Sequence, residues 1–242
     1  MFAPKEIVQN LLMGLPPVAA AVRKFHCTGI NRDEQKVRQA YAFFRSHGDV
    51  AGRSVLELGP GQTLEVLELA RRDAANRCCA VDIVRYIPSR RAEAMGIEYR
   101  IYDGRRIPFD EASFDRVWAM DVLEHVRHPE LTVAEVRRVL RPGGLLVCRV
   151  DLRDHYHLQD PCRWLECLKY PRRLWNAMTW NRSSYVNRLR YSQWQEMFGH
   201  VGLEPVQIST QSSDELAARY ARLKGYRADD LRIWQFEGAW RR

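Results

Sequence analysis

"VLELGPGQT", running from Val55 to Thr63, is the stretch that decides the fold. An apolar run ends in Gly59 and Gly61, the pattern of a buried strand that turns beside a ligand and enters a helix. Without a Cβ, each glycine lets the backbone approach a bound group and adopt angles closed to other residues. The next helix offers free N–H groups and the positive end of its dipole, suited to a carboxylate. A dinucleotide fingerprint asks for a third glycine at position 64. This chain has Leu64 there, which disfavours a hydride-carrying dinucleotide.

Outward from that turn, apolar runs alternate with helical periodicity. Strands are expected at Ser54–Leu58, Arg77–Ile83, Glu98–Tyr102, Phe114–Met120 and Leu145–Val150. Helices are expected at Thr63–Arg72, Ser89–Met95 and Leu131–Leu140, the last stopped by Pro142 and Gly143. This βαβ order implies an α/β, doubly wound, mostly parallel sheet whose ligands gather at the carboxyl ends of the strands. Two helical stretches precede it, the second near Asp33–His47. After it, Asp151–Arg190 is rich in Trp, Tyr, Arg and His and reads as a mostly helical insertion. Ser192 then caps a helix that Gly202 closes, and "EPVQIST" and "LRIWQFEGAW" supply two late strands that complete seven at one sheet edge.

The bulk numbers suit a soluble globular chain: 242 residues, 46% hydrophobic, formal charge +8. The charge favours an anionic partner, although it is almost all arginine and is spread along the chain rather than clustered. Nucleic acid is therefore a lesser alternative. Cysteines 27, 78, 79, 148, 162 and 167 form no C-x-x-C pair or framework, so reduced thiols in a cytoplasmic protein are expected. The N-terminal apolar stretch is interrupted by Lys5, Glu6, Gln9, Asn10 and Pro16-Pro17. It reads as a cap helix rather than a signal or a membrane span, with weak membrane association as the other reading.

Three acids fall at successive strand ends. Glu57 closes the first; Asp82 in "AVDIV" closes the second, where an acid can accept both hydroxyls of a ribose; Asp103 in "YDGRRIPF" closes the third and can accept from an exocyclic amine. That set suits a partly cationic ligand with a ribose and an adenine, and S-adenosylmethionine fits it. Residues 54 to 150 resemble, motif by motif and in order, a class I S-adenosylmethionine-dependent methyltransferase. "VLELGPGQT" is similar to the family's first motif and "AVDI" to its acidic second-strand end. "YDGRRIPFDEASFDRVWAMDVLEHV" is similar to the stretch through its fourth strand, and "LRPGGLLVC" to the turn into its fifth. The tail "NRLRYSQWQEMFGHVGLEP" resembles bacterial methyltransferases of polysaccharide and secondary-metabolite pathways.

The resemblance implies that Glu57, Gly59, Gly61 and Gln62 surround the methionine portion, Asp82 and Ile83 the ribose, and Asp103 and Gly104 the adenine. Asp121 would lie near the methionine portion or the methyl group, although it could equally cap a helix from Val122. The organisation then reads as an N-terminal helical cap (1–50), a cofactor-binding core (51–152), a substrate lid (153–191) and a closing segment (192–242). O-methylation of a small molecule or glycan, anionic or lipid-linked, is the expected activity. A nucleic-acid methyltransferase and a non-catalytic cofactor-binding scaffold are the alternatives.

A hydroxyl acceptor needs its proton removed. His155 and then His157, in "VDLRDHYHLQD", are the first choices for the base, with His125 in "LEHV" behind them. In an extended register His155 and His157 would face opposite sides. Glu124, His125 and His128 suggest a metal site but lack a third credible ligand, so no metal is expected. The aromatics Trp164, Tyr170, Trp175, Trp180 and Tyr185 are read as packing the insertion onto the domain. Arg172, Arg173, Arg188 and Arg190 either hold an anion or form a solvated face.

Overall fold

The computed structural model describes residues 3–25 and 33–242, so Cys27 lies outside the described residues. Three helices come first: α1 (Ala3–Met13), α2 (Pro16–Phe25) and α3 (Glu34–Ser46). Asp33 caps α3 by accepting from the backbone amides of Gln35 and Lys36. Strands β1 (Ser54–Leu58), β2 (Arg77–Asp82), β3 (Glu98–Ile101), β4 (Phe114–Met120) and β5 (Leu140–Asp151) then alternate with α4 (Glu65–Arg72), α5 (Ser89–Ala94) and α6 (Pro129–Val139). The chain ends with α7 (Arg172–Thr179), α8 (Tyr191–His200), β6 (Glu204–Ser212), α9 (Asp214–Tyr220), α10 (Ala228–Arg232) and β7 (Ile233–Arg241).

Among the described residues, seven strands make one sheet in the order β3-β2-β1-β4-β5-β7-β6. The first five strands pair in parallel, and β7 enters antiparallel between β5 and β6. Side chains alternate between the faces, as a pleated strand requires. Leu56, Leu58, Val117, Leu146 and Cys148 join a core under α6 and α8. Val55, Trp118, Leu145 and Val147 join a second core under α3, α4 and α5. Trp118 is the pivot of that second core, stacked on Phe44 with ring centroids 4.5 Å apart and planes 2° from parallel.

Two local readings of the sequence are corrected. Strand β5 starts at Leu140 rather than Leu145, because Leu140 pairs with Phe114 across an irregular register. Pro142 and Gly143 end α6 but lie within that strand, with Gly143 at φ +77°. Ser192 does not cap α8: Arg190 precedes the helix, and the Ser192 backbone and hydroxyl both donate to Asp230.

A third core lies off the sheet. Trp175 and Tyr185 pack there with Leu165, Leu216, Tyr220 and Leu231, with Trp164, Tyr170 and Trp180 against them. The aromatics thus pack the insertion, as read, and they do so against α9 and α10. Helix α1 docks on α7: the Asn10 amide donates to the Ala177 carbonyl, and Glu6 pairs with Arg182. Neither reading of Arg188 and Arg190 holds. Arg188 donates to the carbonyls of Cys167 and Tyr170. Arg190, fully buried, donates to the carbonyls of Leu152, Asp230 and Ile233, tying the insertion to the ends of β5, α10 and β7. Burial pushes its pKa down to about 10, still charged at neutral pH.

Arg190→Ala takes this donor from three carbonyls, of which those of Leu152 and Asp230 are buried, at about 1–3 kcal/mol for each buried one. Urea unfolding is expected to show a loss of about 3 kcal/mol or more. A loss under about 1 kcal/mol would contradict this role.

Candidate active site

The strand order reverses direction between β1 and β4, and in a sheet of this kind the crevice opens outside the carboxyl ends at that point. Two loops meet there. Gly59, at φ +60°, would carry a Cβ only 2.8 Å from Val122 Cγ2, so the approach of the loop after β4 demands a glycine. Gly61, at φ +66°, turns its amide to donate to Asp82 Oδ2 at 3.2 Å, which links the end of β1 to the end of β2. Leu64 sits 1% exposed in the core under α4, and this is why no glycine stands there.

The two acids at this point are buried. Glu57 is 5% exposed, and its Oε2 has no hydrogen-bond partner among the described residues. Burial, reinforced by the charge of Asp82, pushes its pKa up to about 8. Asp82 accepts from the Gly61 and Val84 amides, yet burial still raises it to about 6. Gln62 lies half-buried beside them. Among the described residues neither buried carboxyl makes an ion pair, and Glu57 Oε2 has no donor at all, an arrangement that a cationic, hydroxyl-bearing ligand would relieve.

Past β2, Ile83 is 53% exposed, and the position of a Cβ on Gly104 would be 3.4 Å from Ile83 Cγ2. These two residues face each other across the ends of β2 and β3. Asp103 is exposed and turns its own loop, with Oδ1 accepting from the amides of Arg105 and Arg106. Those bonds hold its carboxyl below its usual value. Asp121 caps no helix. It adopts φ +54°, uncommon for a non-glycine residue, and its carboxylate takes the guanidinium of Arg149, with Nε at 2.8 Å. The chain then makes a short 3₁₀ turn, Leu123–His125.

Beyond Asp121 the crevice ends in a second polar group. Glu124 is 2% exposed, its Oε2 unpartnered and its Oε1 3.3 Å from the Asp151 amide. Burial next to Asp121 and Asp151 pushes its carboxyl well above the usual range. His125 Nδ1 lies 2.6 Å from the Tyr185 carbonyl, which can only accept, so Nδ1 carries the proton and Nε2 a free lone pair. Burial pushes its pKa down to about 4 and keeps the ring neutral. His155 packs edge-on against it, centroids 4.8 Å apart, with Nε2 buried and 3.5 Å from Asp151 Oδ2. Asp151 in turn binds Arg153, and although burial opposes it, these partners hold its carboxyl well below its usual value.

The extended register read for His155 and His157 is corrected: both lie in a turn, closed by the His157 amide donating to the Asp154 carbonyl. His157 is held by the buried Asp154, Nδ1 to Oδ2 at 3.0 Å, whereas His155 reaches His125. A third partner for Glu124 and His125 does exist, but it is His155 and not His128, whose ring lies edge-on to Trp180. Donor atoms of Glu124, His125 and His155 all fall within 4.8 Å of one another. Sequence reasoning also missed Arg149 and Val122. An arginine and a valine in strand and loop carry no local signal of such a role.

Residues 56–148 match the family model described as "Methyltransferase domain". Methyltransferase GfsG of Streptomyces halstedii is 32% identical over 103 residues, 40% of this chain and 37% of its own length. The ubiquinone biosynthesis O-methyltransferase of Maricaulis maris is 32% identical over 101 residues, 40% of this chain and 40% of its own length. The chain thus spans about two fifths of these curated relatives. An S-adenosylmethionine-dependent methyltransferase structure from Mesorhizobium loti superposes with TM-score 0.58 at 17% identity, covering 83% of this chain and 96% of that one, and shows the same fold.

Because the unfolded chain ionises Glu57 near its ordinary value of 4.5 and the folded chain only near 8, ionisation opposes folding. The penalty is absent below pH 4.5, grows as pH rises, and saturates above pH 8 at up to about 5 kcal/mol. Ligand-free Glu57→Gln is therefore expected to gain on the wild type in thermal melts as pH rises from 5 to 8.5, by about 5 °C or more at the top. Parallel melting curves across that range would contradict the burial of this acid.

Proposed function

We propose that this chain, whose residues 56–148 are a methyltransferase domain in a class I fold, moves a methyl group from S-adenosylmethionine to an oxygen of a small molecule or glycan. The observation that carries the reading is the pair of buried acids without an ion-pair partner among the described residues, Glu57 and Asp82, at the ends of adjacent parallel strands. The cofactor supplies an electrophilic methyl on a positively charged sulfur and, with it, the cation that this pair lacks.

In this reading Glu57 faces the cationic methionine portion, with Gly59, Gly61 and Gln62 lining its path. Asp82 accepts from the ribose hydroxyls through lone pairs not used by Gly61 and Val84. Ile83 lies with Asp82 at the ribose, Gly104 bounds the adenine, and Asp103, which turns its loop, accepts from the adenine amine. Asp121 works by position: gripped by Arg149, it fixes the loop that carries Val122 against Gly59. The chain's main contribution is alignment and exclusion of water. An oxygen acceptor is favoured by the paired imidazoles of His125, whose Nε2 lone pair is free, and His155, next along the sheet end, and by the O-methyltransferase among the relatives. Among the described residues no helix is long and apolar enough to cross a membrane.

Methyl-tritiated S-adenosylmethionine incubated with the chain and fractionated extract is expected to label an extractable small-molecule or glycan fraction. Label in nucleic acid alone, or in no fraction, would overturn the reading. In calorimetry, Asp82→Ala is expected to weaken S-adenosylmethionine binding at least tenfold, while His155→Ala spares binding and lowers turnover. Unchanged affinity in Asp82→Ala would remove the ribose from its place.

A further inference from the structure

We propose that Glu124, His125 and His155 bind a divalent transition-metal ion of the zinc class at the acceptor end of the crevice. Their donor atoms converge within 4.8 Å of one another, although one residue comes from the loop after β5 and two from the loop after β4. Glu124 Oε2 is buried without a hydrogen-bond partner, and His155 Nε2, also buried, has only the Asp151 carboxylate at 3.5 Å. Glu124 forms no ion pair among the described residues: Oε1 takes the Asp151 amide at 3.3 Å, and Arg149, the nearby cation, is held by Asp121. An ionised carboxylate in that position is costly unless a cation meets it.

The third donor is preset. With Nδ1–H given to the Tyr185 carbonyl, His125 turns an unprotonated Nε2 away from that bond, the tautomer and second hydrogen bond that metal-binding imidazoles use. Two imidazoles and one carboxylate form the donor set of catalytic zinc sites, which keep a further position open. Nitrogen donors argue for zinc, cobalt or iron over magnesium and calcium, which take oxygen. Tetrahedral donors at about 2.1 Å from zinc stand about 3.4 Å apart, so the widest gap closes by about 1.4 Å, a rotamer-scale adjustment.

The open position suits an acceptor hydroxyl. Bound to the ion it gives its proton to solvent at neutral pH; the C–O bond then forms as the C–S bond breaks. That role rests on the methyl-transfer reading, whereas the binding of the ion does not.

The test uses the full chain, stripped with chelator and without S-adenosylmethionine, titrated with Co(II). Equilibrium dialysis is expected to give one saturable equivalent, displaced by Zn(II), with visible d–d absorption. X-ray absorption on the zinc form should show two imidazoles and oxygen. Glu124→Gln and His155→Ala, checked for folding by their melts, should each weaken Co(II) at least tenfold. Absence of saturable binding in the wild type, an oxygen-only or sulfur-bound ion, or full binding in either variant would each overturn the site. S-adenosylmethionine affinity measured by calorimetry on the same preparations separates the two readings: if it persists while cobalt fails, only the metal site falls.

Discussion

Two acids, buried at the ends of neighbouring strands with no ion-pair partner among the described residues, set the terms for the rest of this molecule. Glu57 and Asp82 are carried inward by β1 and β2, whose parallel pairing fixes Glu57 opposite Ala80 and ends β2 on Asp82. A domain optimised only for stability would place apolar or paired groups there, since isolated buried carboxyls oppose folding. Their retention makes sense if a ligand compensates them, and the sheet supplies that opportunity where its strand order reverses.

The surrounding structure holds this point open and rigid. Phe44 stacked on Trp118 fixes α3 to β4, and the Asp121–Arg149 pair fixes the loop beyond β4 in a left-handed backbone that a non-glycine residue adopts only when its surroundings impose it. Arg190 fastens the aromatic insertion to the ends of β5 and β7, and α1 packs upon that insertion through Asn10. Unlike Glu57, whose charge calls for a flexible organic cation, Glu124 is accompanied by two imidazoles, a donor set that a metal ion satisfies better than a sulfonium does. Two orphaned acids about one crevice therefore have different complements.

Much of this was legible in the chain because it is written in local patterns. β1 and β4 have the bounds that their apolar runs imply, and Gly59, Gly61 and Asp82 meet because a strand-turn-helix spacing brings them together. Asp103 turns its own loop through the amides of Arg105 and Arg106, as an Asp-Gly pair commonly does. What was not legible depends on neighbours distant in sequence. β5 recruits Leu140 through a pairing with Phe114 that overrides the Pro-Gly signal. His155 reaches His125 only because β5 lies beside β4 and Asp154 starts a turn, and Arg188 and Arg190 find carbonyls rather than anions because the insertion folds over them. Charged residues in an irregular segment carry no periodicity from which such partners can be read.

The ionisation of Glu57 on ligand binding can be counted in protons. Titrating S-adenosylmethionine into the chain at pH 7 in buffers of different ionisation enthalpy gives the number released on binding. Glu57 is mostly protonated in the free crevice and must ionise to meet a cation, so net release approaching one proton is expected, reduced sharply in Glu57→Gln. Binding with no proton release in the wild type, or no binding at all, would rule out Glu57 as the acid that meets the cofactor's cation.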